Sequence, residues 1–149
     1  MFVVRHADAG DRERWTRPDN ERPLSPKGVR QAAGLVDQLK RYRIKHVATS
    51  PYVRCRQTVE PLAAALGVPV EEVGELAEGH GYAQALGVAR RLGDDAVLCT
   101  HGDVTSDLLD ALAEGGVVRG SVKSPKGSTW VLDVSDGLVK KASFLPAPE

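Results

Sequence analysis

This chain is expected to fold as an α/β protein, a three-layer α/β/α sandwich around a largely parallel central sheet. Three observations lead there. Two apolar runs, Phe2 to Val4 and Ala96 to Cys99, each run out into a histidine, His6 and His101. Segments of helical period stand between the strand-like runs, the alternation that builds parallel sheets. A third piece, Ser50 to Thr58 with Arg54 inside it, also follows a strand-like stretch. In open α/β sheets ligands bind beyond the carboxyl ends of the strands, so loops carrying His, Arg and His there point to an anion site and to phosphate chemistry.

The elements follow in order. Phe2 to Arg5 reads as the first strand, and the polar stretch Asp8 to Pro23 as a long loop. Ser25 is placed to cap the first helix with Pro26 at its first position, and Val29, Ala32, Ala33, Leu35, Val36 and Leu39 form its apolar stripe. His46 to Ala48 is the second strand. The second helix repeats the opening, Ser50 then Pro51, and continues to about Leu66, where Gly67-Val68-Pro69 stops it. Val70 to Val73 is the third strand and Tyr82 to Leu92 the third helix. Ala96 to Thr100 is a buried fourth strand, followed by a helix from about Asp103 to Ala113. Ser128 to Val134 and Leu138 to Phe144 form a closing hairpin that turns at Ser135-Asp136-Gly137, and the proline-containing end is a frayed tail.

Length and composition set bounds. The 149 residues fit one domain, 1–149, with one hydrophobic core. Net charge is zero but uneven: residues 1 to 56 carry 13 Lys/Arg against 6 Asp/Glu, and the remainder 7 against 14. A basic first third suits an anionic ligand, although a solvated surface explains it as well. Overall neutrality and few aromatic side chains argue against nucleic acid as a partner. No stretch approaches membrane-spanning length, and the pattern of a signal peptide is missing. Cys55 and Cys99 read as free thiols of a reducing cytoplasm, and Cys99 with His101 is too little for a metal site.

Four motifs in register carry a resemblance. Arg5-His6, Leu24-Ser25-Pro26-Lys27-Gly28, the segment from Ser50 through Arg54 to Thr58, and His101-Gly102 stand in the order found in the histidine phosphatases. That superfamily also contains the cofactor-dependent phosphoglycerate mutases. One departure is that Ala7-Asp8 follows Arg5-His6 where the family usually has Gly. Only 46 residues lie between Arg54 and His101, too few for the long cap insertion of the mutases. The chain therefore resembles the compact SixA-like branch, a phosphoglycerate mutase-like fold without a large cap.

The resemblance implies roles. A neutral imidazole can attack phosphorus, and a histidine of pKa about 6.5 is largely neutral near pH 7, so His6 is the candidate nucleophile. Arg5 and Arg54 would grip the phosphoryl oxygens with planar, permanently charged forks. Arg54 is expected in the first turn of its helix, whose amides also favour an anion. His101 and Gly102 would complete the phosphate-binding set, with no metal and no cofactor. For the proton donor, Leu76-Ala77-Glu78 matches a Leu-x-Glu segment of the mutase-like branch; Glu75 and Asp8 compete with Glu78. His46 and His80 have no match, Gly10 and Gly28 suit turns and helix packing, and Lys27 and Arg22 either add positive potential or simply face solvent.

The activity implied is hydrolysis through a phosphohistidine on His6, acting on a phosphohistidine protein or on a nucleotide or other small phosphorylated molecule. The compact domain also resembles one found after a Nudix hydrolase domain in some bacterial proteins. Met1 stands almost in the first strand, which fits either an abrupt start or a domain cut from a longer chain. A fused or associated Nudix partner would imply removal of the terminal phosphate of a nucleoside diphosphate. A phosphate-binding regulatory module without turnover is the remaining alternative.

Overall fold

The computed structural model describes residues 1–119 and 122–149. Strands β1 (Phe2–Arg5), β2 (His46–Thr49), β3 (Val70–Glu72), β4 (Ala96–Thr100), β5 (Thr129–Ser135) and β6 (Leu138–Leu145) form one sheet in the order β3-β2-β4-β1-β5-β6. The first four in that order are mutually parallel, and β5 and β6 add antiparallel. Helices α1 (Pro26–Leu39) and α2 (Val53–Leu66) cover one face; α3 (Tyr82–Leu92) and α4 (Gly102–Glu114) cover the other. The sandwich expected from the sequence is the one observed.

Strand alternation builds both cores. Phe2, Val4, Val47, Val97 and Cys99 point at Leu35, Leu39, Val59 and Leu62 of α1 and α2. Val3, Ala48 and Leu98 point the other way, to Ala85, Val88, Leu108 and Leu112 of α3 and α4. β1 and β4 are buried along nearly their whole lengths, as continuous apolar runs in a covered parallel sheet must be. The hairpin turns at Asp136 and Gly137, both with positive φ (55° and 75°), the geometry that a two-residue hairpin turn needs.

Register is what creates a site. Arg5 lies opposite Thr100, and Thr49 opposite Cys99. The next residues, His6, His101 and Ser50, therefore leave the sheet side by side at one edge. Backbone bonds pin this edge: the His6 amide donates to Thr100 O (3.0 Å) and the Ser50 amide to Cys99 O (3.0 Å).

Several expectations need correcting. α2 starts at Val53, not at Ser50-Pro51; Tyr52 occupies the cap without a side-chain bond because the Ser50 hydroxyl is engaged elsewhere. The loop from Asp8 to Pro23 contains two short 3-10 turns, Arg12–Arg14 and Asp19–Glu21. β3 ends at Glu72, and the amide of Val73 donates to Thr49 O. The tail is docked rather than frayed: Gln38 Nε2 donates to Pro146 O (2.9 Å), and Pro148 packs on Gly34, where a side chain would displace it. α1 begins as expected, with Ser25 Oγ accepting from the Gly28 amide.

Candidate active site

His6 sits just past β1, 5% exposed, on the wall of a cavity of about 470 Å³. Its Nδ1 lies 2.8 Å from the Ala7 carbonyl. A carbonyl only accepts, so the ring proton belongs on Nδ1, and Nε2 keeps its lone pair. Nε2 has no hydrogen-bond partner among the described residues. Burial pushes the His6 pKa down to about 3, with Arg54, His101 and Arg5 disfavouring a further positive charge. A neutral imidazole with a free nitrogen results.

The departure at Ala7 is accommodated. Ala7 is fully buried against Ala9, Leu24 and Ala32, its φ is negative, and its amide donates to Thr58 Oγ1 (3.0 Å). No left-handed backbone is required there, so glycine is not.

His101 follows β4 and caps α4. Its ring centroid is 5.6 Å from that of His6, and Tyr52 packs edge-on at 4.6 Å. Its Nε2 lies 2.8 Å from Ser50 Oγ and 3.5 Å from Cys55 Sγ. Ser50 Oγ accepts from the Tyr52 amide and keeps one proton, which it can donate into Nε2. In that tautomer the His101 proton resides on Nδ1, which is buried and has no partner among the described residues. A donor then stands without an acceptor among the described residues.

The two arginines repeat this condition. Arg54, fully buried in the first turn of α2, donates from Nη1 to Asp19 O (2.8 Å) and from Nη2 to Asp19 Oδ2 (3.0 Å). Arg5 donates from Nη1 to Ser124 O (2.7 Å). Nε of each is buried without a partner among the described residues. Burial lowers the pKa of Arg5 from its ordinary value, and Asp103 partly opposes this. Gly102 matters as an absence of side chain: a Cβ there would lie 2.7 Å from the Arg5 Cζ. Gly28 does the same for the first loop, since a Cβ would collide with the Asp8 carbonyl.

Of the three carboxylates proposed as proton donors, Glu78 alone lines the His6 cavity. It accepts from Arg12 Nη2 (2.9 Å) and lies 3.8 Å from Arg54 Nη2. Asp8 instead accepts from the Ser25 hydroxyl (2.5 Å), which lowers its pKa and fixes the start of α1. Glu75 pairs with Arg91 at the surface (3.0 Å). His46 stands near Glu71, and His80 bonds Gln84; neither lines the cavity.

For Arg22, the structure decides between the two readings left open, in favour of positive potential near the site. Arg22 is 5% exposed, lines the cavity, and donates to Ala9 O (2.6 Å) and Asp19 Oδ1 (3.2 Å). Lys27, by contrast, is exposed. Arg12, Asp19, Asp103 and Lys126 were not singled out by the sequence at all, yet Arg12, Asp103 and Lys126 line the cavity and Asp19 joins Arg12, Arg22 and Arg54. The density of Arg and Asp in the first loop was the available signal. Among the described residues, no group of three or more His, Cys, Asp or Glu is gathered as metal ligands, and no helix is long and apolar enough to cross a membrane.

Buried donors at this edge suit a phosphate-sized anion. Residues 1–86 match the family model of the histidine phosphatase superfamily (branch 1). The chain belongs to that superfamily. It is 37% identical over its whole length to 48% of an 8-oxo-(d)GTP phosphatase of Mycolicibacterium smegmatis. The chain spans about half the length of that relative, and 57% of a phosphoglycerate mutase-type protein of Serratia proteamaculans at 26% identity. Among solved structures, SixA of Agrobacterium tumefaciens superposes with a TM-score of 0.70 at 24% identity, covering 97% of this chain and 96% of that one. SixA in complex with tungstate gives 0.72 at 19%, covering 99% and 94%. These two likenesses show the shared compact fold.

Proposed function

We propose that this domain hydrolyses phosphoryl groups by metal-independent histidine phosphatase chemistry. The observation that carries the reading is that three buried side-chain nitrogens without a partner among the described residues, Arg5 Nε on the cavity wall and Arg54 Nε and His101 Nδ1 behind it, are gathered at the strand ends beside a histidine whose Nε2 is free. Each such atom costs stability unless something accepts its hydrogen, and a phosphoryl group offers three oxygens.

His6 Nε2 attacks phosphorus while Ala7 O holds the proton on Nδ1. The bond to the leaving oxygen breaks and its electron pair departs with that oxygen. Arg5, Arg54 and His101 bind the non-bridging oxygens, which spread the charge of the transition state. Glu78, which lines the cavity, is the carboxylate we assign to the attacking water, whose proton it takes. Water cleaves the phosphorus–nitrogen bond and restores His6.

Two substrate classes fit: phosphohistidine on a protein, and the terminal phosphate of a nucleotide. The nucleotide class is supported by the name of the 37%-identical relative. Action beside a Nudix hydrolase is part of the same proposal, and the extra length of that relative leaves room for a second unit. Placement in the cytoplasm is supported by two buried free thiols, Cys55 and Cys99.

The test is a phosphate-release panel in EDTA with a phosphohistidine protein, nucleoside di- and triphosphates, p-nitrophenyl phosphate and sugar phosphates. Release that persists in EDTA and disappears in His6→Ala, with a trapped phosphohistidine in the wild type, is expected. Phosphate binding without release from any compound would make the domain a regulatory module instead.

A further inference from the structure

One phosphoryl group needs Arg5, Arg54 and His101, and it leaves cations over. Arg12 and Lys126 line the same cavity outside that set. The Arg12 side chain is 58% exposed and springs from a short 3-10 turn of the first loop. It reaches Glu78 Oε1 (2.9 Å) and Asp19 Oδ1 (3.4 Å), while Arg54 contacts the same two side chains from the buried side. Two protein carboxylates thus occupy the space between an inner and an outer guanidinium. The Glu78 carboxylate is engaged by both guanidinium groups, so in this arrangement it is turned to cations rather than to an alkoxide leaving group. Among the described residues, no aromatic side chain lines the cavity to stack on a base.

We propose that Arg12 is a specificity-determining residue that binds the second, leaving phosphate of a diphosphate substrate. This deepens the proposed phosphatase reading and rests on it. Arg12 exchanges a protein carboxylate for the phosphate next to the one under attack. The His6 Nε2–P bond forms as the bridging P–O bond breaks, and the bridging oxygen takes the electron pair onto the leaving monophosphate. That oxygen needs no proton at neutral pH, and Arg12 neutralises part of its charge. Recognition lies in the two phosphates, so the group beyond them is read weakly.

Two measurements test this. The first compares kcat/KM for ADP and p-nitrophenyl phosphate in wild type, Arg12→Ala and Arg12→Lys. A charge-assisted hydrogen bond to phosphate corresponds to about a tenfold effect or more, so the ADP to p-nitrophenyl phosphate ratio should fall at least that far in Arg12→Ala and less in Arg12→Lys. The second uses ligands that cannot be hydrolysed. Methylenediphosphonate should bind the wild type about tenfold more tightly than methylphosphonate, and Arg12→Ala should close the gap. An active wild type whose substrate ratio or phosphonate gap ignores Arg12 overturns this inference and leaves the phosphatase reading standing. A wild type inactive on ADP but releasing phosphate from a phosphohistidine protein overturns this inference and leaves the phosphatase reading standing; a wild type that releases phosphate from no compound of the panel overturns both.

Discussion

The two ends of the sheet hold cavities of opposite character. At the amino ends of the strands lies a groove of about 770 Å³ bordered by Met1, Leu86, Leu112, Val117 and Leu138. At the carboxyl ends lies the smaller cavity of about 470 Å³ beside His6. None of the residues lining the larger groove carries a buried, unpartnered polar side-chain atom among the described residues, whereas the edge where the smaller one opens gathers three such nitrogens. Volume marks where the helices diverge. Buried N–H groups without an acceptor favour a ligand that supplies one, and that is what supports a site at the carboxyl end.

Substitutions at the two ends should sharpen that contrast. His6→Ala removes the nucleophile and should lower phosphate release by roughly a thousandfold or more, with no phosphoenzyme on acid quench. Arg54→Ala should lower kcat by roughly a hundredfold to a thousandfold, the scale for losing one fixed donor to developing charge. Residual activity close to wild type would detach the buried arginine from the chemistry. Ser50→Ala leaves His101 Nε2 without its hydroxyl donor; about a tenfold loss in kcat, with an altered pH profile and partial recovery in Ser50→Thr, is expected. A flat profile would reduce Ser50 to packing.

A fourth comparison uses stability. The His6 pKa of about 3 lies below its ordinary value, so the folded state resists the proton that the unfolded chain accepts. The wild type should therefore lose thermal stability relative to His6→Ala as pH falls from about 6.5 towards 3, by at most about 1.4 kcal/mol per pH unit. Above pH 7 the two differ by a pH-independent packing difference only. The smallest effect is expected at the amino end: Leu138, 60% exposed on the groove, should tolerate replacement by Ser with less than about a twofold change in kcat/KM. A large loss there would mean that the two ends are not independent.

The elements were mostly legible because local rules and tertiary outcome agree. α3 and β4 have the bounds that periodicity and burial suggest, Ser25 caps α1 as its position before Pro26 implies, and Asp136-Gly137 turns the hairpin. The same Ser-Pro opening misled at Ser50. Its hydroxyl is held by His101, fifty-one residues away, and a capping rule sees only the next three residues. The tail reads as frayed because prolines and a chain end leave no local pattern, yet Gly34 opens a seat for Pro148. Among site residues, His6, Arg5, Arg54, His101 and Gly102 stood in motifs at strand ends, and Glu78 followed from a short pattern. Arg12, Asp19 and Lys126 had no pattern at all, and Arg22 read equally well as added potential at the site or as a solvated charge.

By itself, then, the sequence determined the alternation of strands and helices, the histidines at two strand ends and the basic character of the first loop. These are consequences of residue spacing and type, which act over a few positions. The tertiary structure alone decided that Arg22 is buried, that Glu78 rather than Asp8 or Glu75 lines the His6 cavity, and that Asp19 and Glu78 stand between Arg12 and Arg54. Those outcomes depend on the parallel register that brings His6, Ser50 and His101 to one edge, and on where a sixteen-residue loop lies across it. Pairing between charges so far apart in the chain is set by distance in space, which spacing along a sequence does not encode.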